Sequence, residues 1–287
     1  MHIEAFFDEF TWSFSYVVHD GSVGAVIDPV RDYDPKSGQT AWESAARIAQ
    51  YIDRERLRVE YVIDTHTHAD HLTGIPFFKE RYGALSVIGA GVTEIQKAFR
   101  ELLGLGPAFP TDGRQFDVLA EEGKRIPFGS LEIEAIHTPG HTPAHMCWKI
   151  WDAVFVGDTL FMPDYGTARC DFPGGDAGAL YDSIQRLYAL PNPTRILVGH
   201  DYMPGGRPAA CETTVGEQKR SNLQLNENTG REEYIAAREA RDKTLAMPNL
   251  ILPSIQVNIR AGEFPEPEPN GVSYLKIPLN RVGSFAR

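Results

Sequence analysis

The chain has 287 residues, of which 42% are hydrophobic and 23% charged, enough for one large domain or a core with a small appendage. Its 28 basic and 39 acidic residues leave a formal charge of -11, which argues against nucleic acid and anionic membrane surfaces as general partners. Cys147, Cys170 and Cys211 suit a reducing compartment better than a disulfide framework, residues 1–6 carry no signal-peptide pattern, and no apolar run approaches the roughly 20 residues that span a bilayer, so a cytoplasmic protein is expected.

An Asp-Gly turn in His19-Asp20-Gly21-Ser22, between β-prone runs at 13–18 and 23–27, predicts a hairpin. Asp28-Pro29 ends its second strand; the Asp28 carboxylate either serves that turn or approaches a site from beneath. A polar loop is expected over 31–40, then a helix over 41–56 with Ala45, Ile48, Ala49 and Ile52 at helical spacing. Residues 59–63 and 85–88 read as strands, 74–82 as a short helix, and 93–103 as a helix with Ile95, Phe99 and Leu102 on one face. The Gly/Pro-rich stretch 104–111, with Leu105 and Phe109 at its apolar tip, is either a lid or a packed connection. Further strands are predicted at 124–126, 131–136, 146–150, 153–156 and 195–198, and an amphipathic helix at 179–190. Strands with interspersed helices, then the same again, suit a layered α/β sandwich. From about Gly206 the character changes: 214–228 and 232–245 are polar and helix-prone, 250–259 is strand-like, and 265–269 is a Pro-rich spacer.

The chemistry concentrates in Thr65-His66-Thr67-His68-Ala69-Asp70-His71, straight after the strand at 59–63. Alternation along a strand sends His66 and His68 to the same side, and a turn at Ala69-Asp70 brings Asp70 and His71 back toward it. Imidazole and carboxylate donors suit zinc, iron and manganese. His141, Asp158 and His200 each follow a predicted strand, and α/β sheets gather functional groups at such ends. Any one of them alone reads as a loop hydrogen-bonder. Four strand ends that all deliver ligand-type side chains point to a metal site.

The stretches Thr-His-Thr-His-Ala-Asp-His (65–71), Pro-Gly-His-Thr (139–142), Gly-Asp-Thr (157–159) and Gly-His-Asp (199–201) resemble the metallo-β-lactamase superfamily in order and spacing. The resemblance implies an αββα sandwich, with 1–205 as the catalytic core and 206–287 as an extension that completes the sandwich and covers the site. It also implies up to two metal positions: His66, His68 and His141 at one, Asp70, His71 and His200 at the other, with Asp158 bridging. Residues 166–172, the Gly199-His200-Asp201-Tyr202 stretch and residues 252–260 are similar to the persulfide dioxygenase group, related to glyoxalase II. That likeness implies one Fe(II) per chain on His66, His141 and Asp158, a facial triad of two His and one carboxylate. His68, Asp70, His71 and His200 would then orient ligands or bridge water. All seven donors are present, so a dinuclear zinc hydrolase of the glyoxalase II type stays open, as does a non-catalytic metal- or thiol-binding module.

The implied reaction takes glutathione persulfide, O2 and water to glutathione and sulfite. It needs no protein nucleophile, and Cys170 is expected to be a packed thiol. Glutathione carries two carboxylates, so an acidic protein must gather cations locally. Arg169 either clamps such a carboxylate or pairs with Asp171. Tyr202 is a further substrate-binding candidate, and Arg260, Lys219 and Arg220 are weaker ones, since cations in the tail are usually solvated. His137 and His145 read as structural, His145 as a partly buried ring bonded to backbone. A homodimer or higher homo-oligomer is permitted without being required.

Overall fold

In the computed structural model, which describes residues 1–282, fifteen strands form two six-stranded sheets and one small three-stranded sheet. In chain order the first half runs β1 (His2–Asp8), β2 (Ser13–His19), β3 (Val23–Ile27), β4 (Val30–Asp34), β5 (Gln39–Ala41), α1 (Glu43–Glu55), β6 (Arg58–Ile63), β7 (Leu72–Thr73), α2 (Ile75–Tyr82), β8 (Leu85–Gly89), α3 (Val92–Leu102) and β9 (Val118–Ala120). The second runs β10 (Arg125–Phe128), β11 (Leu131–His137), β12 (Met146–Ile150), β13 (Ala153–Phe155), α4 (Ala177–Tyr188), β14 (Arg195–Leu197), β15 (Glu212–Thr214), α5 (Val215–Ser221), α6 (Arg231–Asp242) and α7 (Ile251–Asn258). The large sheets have the orders β1-β2-β3-β6-β8-β9 and β10-β11-β12-β13-β14-β15. Among the described residues no helix is long and apolar enough to cross a membrane.

Period-two alternation splits each central strand between two cores. On β2, Phe14, Tyr16 and Val18 point between the sheets, where they meet Trp148 and Ile150 of β12 and Phe155 of β13. Val17 points outward against the stripe Ala45, Ile48 and Ile52 of α1. On the far side Cys147 and Val154 face Leu180, Ile184 and Leu187 of α4 and Tyr234 of α6. Each large aliphatic side chain buried this way contributes about 1.5–3 kcal/mol. The layers are therefore helix, sheet, sheet, helix, as expected for the αββα sandwich.

Three expectations need correction. The polar stretch 31–40 is not a loop: β4 and β5 pair antiparallel there, and β4 also pairs with β7 just after the His cluster. Residues 250–259 form the helix α7 rather than a strand. The β-branched composition suggested a strand, but Ile251, Ile255 and Ile259 recur every four residues and join one cluster with Ile95 and Phe99 of α3. Pro253 lies in the first helical turn, where a missing N–H costs nothing. The helix expected over 214–228 stops at Ser221, because Asn222 turns its side chain to the Gln224 and Leu225 N–H groups.

The stretch 104–111 is a packed connection, with Leu105 and Phe109 against the α3–α7 cluster. The C-terminal segment is tied back by Arg31 of β4, whose guanidinium lies between the Trp42 and Phe264 rings at 4.3 and 3.9 Å and donates to the Gly262 carbonyl.

Candidate metal centre

The four ligand-bearing loops leave β6, β11, β13 and β14 at one edge of the sandwich. Two glycines let them converge. Gly140, at φ +142°, runs against the Leu180 backbone, and Gly157, at φ +46°, sits against Thr65 and His145, so a Cβ at either position would collide. His66, His141 and Asp158 each offer a donor atom within 4.8 Å of the other two, and His68, Asp70 and His71 form a second such trio. The Asp158 carboxylate lies 3.5 Å from His141 Nε2, 3.9 Å from His66 Nε2 and 3.4 Å from His200 Nε2. His200 Nε2 is also 3.3 Å from the Asp70 carboxylate.

Each of the five histidines has its other nitrogen occupied. His71 Nδ1 meets the Leu72 carbonyl at 3.1 Å, His141 Nδ1 that of Arg169 at 2.8 Å, and His200 Nδ1 that of Trp12 at 3.2 Å. A carbonyl only accepts, so these nitrogens carry the proton and the inward Nε2 atoms present lone pairs. His68 Nε2 meets the Asp28 carboxylate at 3.0 Å, leaving Nδ1 inward. His66 Nδ1 meets Thr65 Oγ1 at 3.0 Å, and that hydroxyl in turn donates to Asp28. Such outer partners are the usual support of metal-ligating histidines.

His66 Nε2, His68 Nδ1, Asp70 Oδ2, His71 Nε2 and Asp158 Oδ1 are buried without a hydrogen-bond partner. Unpaired buried polar atoms cost about 1–3 kcal/mol each, so five of them rival the whole stability of a domain, about 5–15 kcal/mol. A cation that takes these lone pairs fits the residues present. Burial and the surrounding imidazoles hold the His66 ring well below its ordinary pKa, and the same causes bring His71 down to about 4. At His68 burial also opposes a charge, but Asp28, by charge and hydrogen bond, outweighs it and lifts the ring to about 10, so a cation at His68 Nδ1 would displace a proton there.

Backbone and outer residues complete the site. Asp28 lies beneath it, at the end of its strand, and also accepts the Thr65 N–H at 2.7 Å. Asn258 of α7 donates to the His68 and His71 carbonyls at 2.9 and 2.8 Å and accepts the Thr73 N–H at 2.9 Å. His145 is fully buried rather than partly so, and its Nε2 accepts the Asp158 N–H. His137 bonds the Pro143 carbonyl, away from the ligands. Neither Asn258 nor the Trp12 carbonyl was legible as part of the site, because both act on loop backbone that side-chain patterns do not report.

A cavity of about 740 Å³ opens over the centre, lined by Trp12, Phe161, Tyr165, Phe172, Tyr202 and the 245–250 segment, among others. Arg169 lines it, but its guanidinium pairs with Asp171 at 2.6 and 2.7 Å and donates to the Ala246 carbonyl, so the ion-pair alternative is the arrangement seen. Tyr202 also lines the cavity, with its ring stacked 5.7 Å from that of His200. Arg260, expected at the substrate, lies outside the cavity lining: its guanidinium donates to the Gln256 carbonyl and stacks on Phe109. Lys219 and Arg220 also lie outside that lining. Cys170 is buried, with its backbone N–H bonded to Asp242, and burial followed by the Asp242 charge pushes its thiol far up. Two cations that the sequence reading passed over line the cavity: Arg238, paired with Asp242, and Arg241, exposed and without a carboxylate partner among the described residues.

A sequence model of the Metallo-beta-lactamase superfamily matches residues 12–200. The chain is 49% identical to a probable metallo-hydrolase of Burkholderia pseudomallei, over 98% of this chain and all of that one. It is 52% identical to the beta-lactamase hydrolase-like protein of Agrobacterium fabrum over 97% of its own length, but spans only 65% of that protein. The mitochondrial persulfide dioxygenase ETHE1 of Homo sapiens is 29% identical over 89% of this chain and 87% of its own. Among solved structures, ETHE1 from Myxococcus xanthus matches with a TM-score of 0.74 and 30% identity, over 92% of this chain and all of that one. The chain belongs to the metallo-beta-lactamase superfamily, and it has that superfamily's fold and metal-binding groups.

Proposed function

We propose that this enzyme of the metallo-beta-lactamase superfamily is an iron-dependent persulfide dioxygenase, converting glutathione persulfide, O2 and water to glutathione and sulfite. The observation that carries the reading is the extent of the likeness to ETHE1, which covers 92% of the chain and so extends beyond residues 12–200. On this reading residues 1–205 are the catalytic core, and 206–287 are an extension whose described part adds β15, α6 and the 245–250 wall.

His66, His141 and Asp158 would hold one Fe(II), two nitrogens and one oxygen within 4.8 Å of one another. When bound, the ion would supply a common template for the persulfide sulfur and O2 and a path for the electrons that pass from the terminal sulfur, which is oxidised to sulfite, to O2, which is reduced. The chain's own residues do the rest. The Arg169 carbonyl and Thr65 hydroxyl hold the protons of His141 and His66 away from the ion, so each ring offers its lone pair. Phe161, Tyr165, Phe172 and Trp12 form an aromatic approach that excludes water around the sulfur. Arg241 stands free at the cavity lining to receive a carboxylate of the thiol carrier, while Arg169 braces the wall by its bond to Ala246.

The test is an oxygen-electrode trace with glutathione persulfide on iron-loaded protein, read beside sulfite and metal analysis. One iron per chain and O2 uptake matched by sulfite support the reading; no sulfite from iron-loaded protein would falsify it. A second reading is favoured by the trio His68, Asp70 and His71, with His200 beside it: a dinuclear metal centre cleaving a glutathione thioester. It predicts two metals per chain and hydrolysis of S-D-lactoylglutathione without O2 uptake.

A further inference from the structure

His145 is not one of the inward-facing donors, yet it touches all three residues of the proposed iron face. Its ring stacks on His66, with centroids 4.8 Å apart and an interplanar angle of 23°. It meets the His141 ring edge-on at 6.2 Å. Its Nε2 accepts the backbone N–H of Asp158 at 3.1 Å. Because Nε2 accepts, the proton of the neutral ring is on Nδ1, which points at Thr138 Oγ1 at 3.0 Å and Thr159 Oγ1 at 3.3 Å. Those hydroxyls are satisfied further on: Thr159 donates to Thr138, and Cys147 Sγ lies 3.2 Å from Thr138 Oγ1. The tautomer is therefore fixed by a closed buried network, and the Asp158 loop can approach the ring because residue 157 is glycine.

We propose that His145 is a positioning residue for the metal: by accepting the Asp158 N–H it fixes the height of the Asp158 carboxylate, and so sets how tightly the triad grips its ion. The inference rests on the reading of His66, His141 and Asp158 as ligands. Outer partners of this kind typically change metal affinity 10- to 100-fold.

Three variants of the full-length protein test it. His145→Phe keeps a ring against His66 but offers no acceptor to the Asp158 N–H. His145→Gln returns an acceptor without the ring. Thr138→Val keeps the shape of its site while removing the nearer of the two hydroxyl partners of His145 Nδ1. The readouts are ferrous-iron affinity by chelator competition, the unfolding midpoint of the metal-free protein, and the electron paramagnetic resonance spectrum of the nitrosyl adduct. The expected result is about tenfold or greater loss of iron affinity in His145→Phe with an altered nitrosyl spectrum, and recovery to within about threefold in His145→Gln. Wild-type affinity in His145→Phe, or an equal loss in His145→Gln, overturns the proposal. If His145→Phe does not fold, Thr138→Val decides: weaker iron binding supports the positioning role, and unchanged binding and spectrum overturn it. His141→Ala serves as the control, since iron retained in that variant overturns the ligand assignment itself and the proposal with it, whereas the other failures overturn the positioning role alone.

Discussion

Replacing Asn258 with alanine should loosen the metal loop from the far end of the chain. The side chain is 1% exposed and makes three hydrogen bonds, all to backbone groups of residues 68–73. Its loss strands two carbonyls and one N–H in a buried setting, each worth about 1–3 kcal/mol when unpaired. Water entering the small space recovers part of this, which leaves an expected loss of about 3–5 kcal/mol. For a chain of this length the unfolding entropy is about 0.6 kcal/mol/K, so Tm should fall by about 5–8 °C. Iron affinity should drop as well, by less than the roughly 10- to 100-fold of a direct outer partner, since the loop that follows His66 loses its backbone anchor. Asn258→Asp, equal in size, sets a carboxylate against two carbonyl oxygens and should be worse than alanine. Thermal unfolding of both variants, metal-free and iron-loaded, checks this; a Tm shift under about 2 °C in Asn258→Ala, or an aspartate variant as stable as wild type, would refute the reasoning.

His141→Ala should lose iron in metal analysis while the metal-free Tm stays close to wild type, because the ring sits at a loop end and not among the sheet cores. Arg241→Ala should raise KM for glutathione persulfide about fivefold at low salt, with kcat and iron content unchanged; an unmoved KM assigns the carboxylate to another group. The metal-free protein should lose stability as pH falls from about 6.5 toward 4. His66, His71 and His145 have folded pKa values held below the unfolded value by burial, so the unfolded state takes up their protons first. Asp64, lifted to about 7 by burial, opposes them with one proton. Folded His68, lifted to about 10, also holds its proton where the unfolded ring is only part-protonated. The net difference therefore grows from well under one proton near pH 6.5 to about two near pH 5, where the slope reaches roughly 2–3 kcal/mol per pH unit; a flat profile in denaturant melts between about pH 5 and 6 would contradict it.

The sandwich was legible because β2, β3, β12 and β13 alternate cleanly between two cores, and α1 and α4 carry single apolar stripes. The donors were legible because imidazoles and carboxylates at strand ends are scarce by chance. What supports them was not. The carbonyls of Leu72, Arg169 and Trp12 have no side-chain signature, and their role depends on loop conformations that local propensity does not determine. Arg169 shows the same limit: its residue type suits a carboxylate ligand, but Asp171, two residues along, is already within reach. In α7 a β-branched composition competed with a four-residue repeat, and packing against α3 decided for the helix.

Trp12 divides its duties between backbone and side chain. Its carbonyl accepts from both His200 Nδ1 and the Asp201 N–H, while its indole, 44% exposed, faces the cavity mouth. The grip on His200 is thus indifferent to which side chain stands at position 12, so long as the residue tolerates φ +53°, as asparagine and glycine do. The mouth can drift, in evolution or in the laboratory, toward other ligands without paying in metal affinity. A library at this one position should therefore yield variants that differ in substrate choice while sharing the parent's metal content.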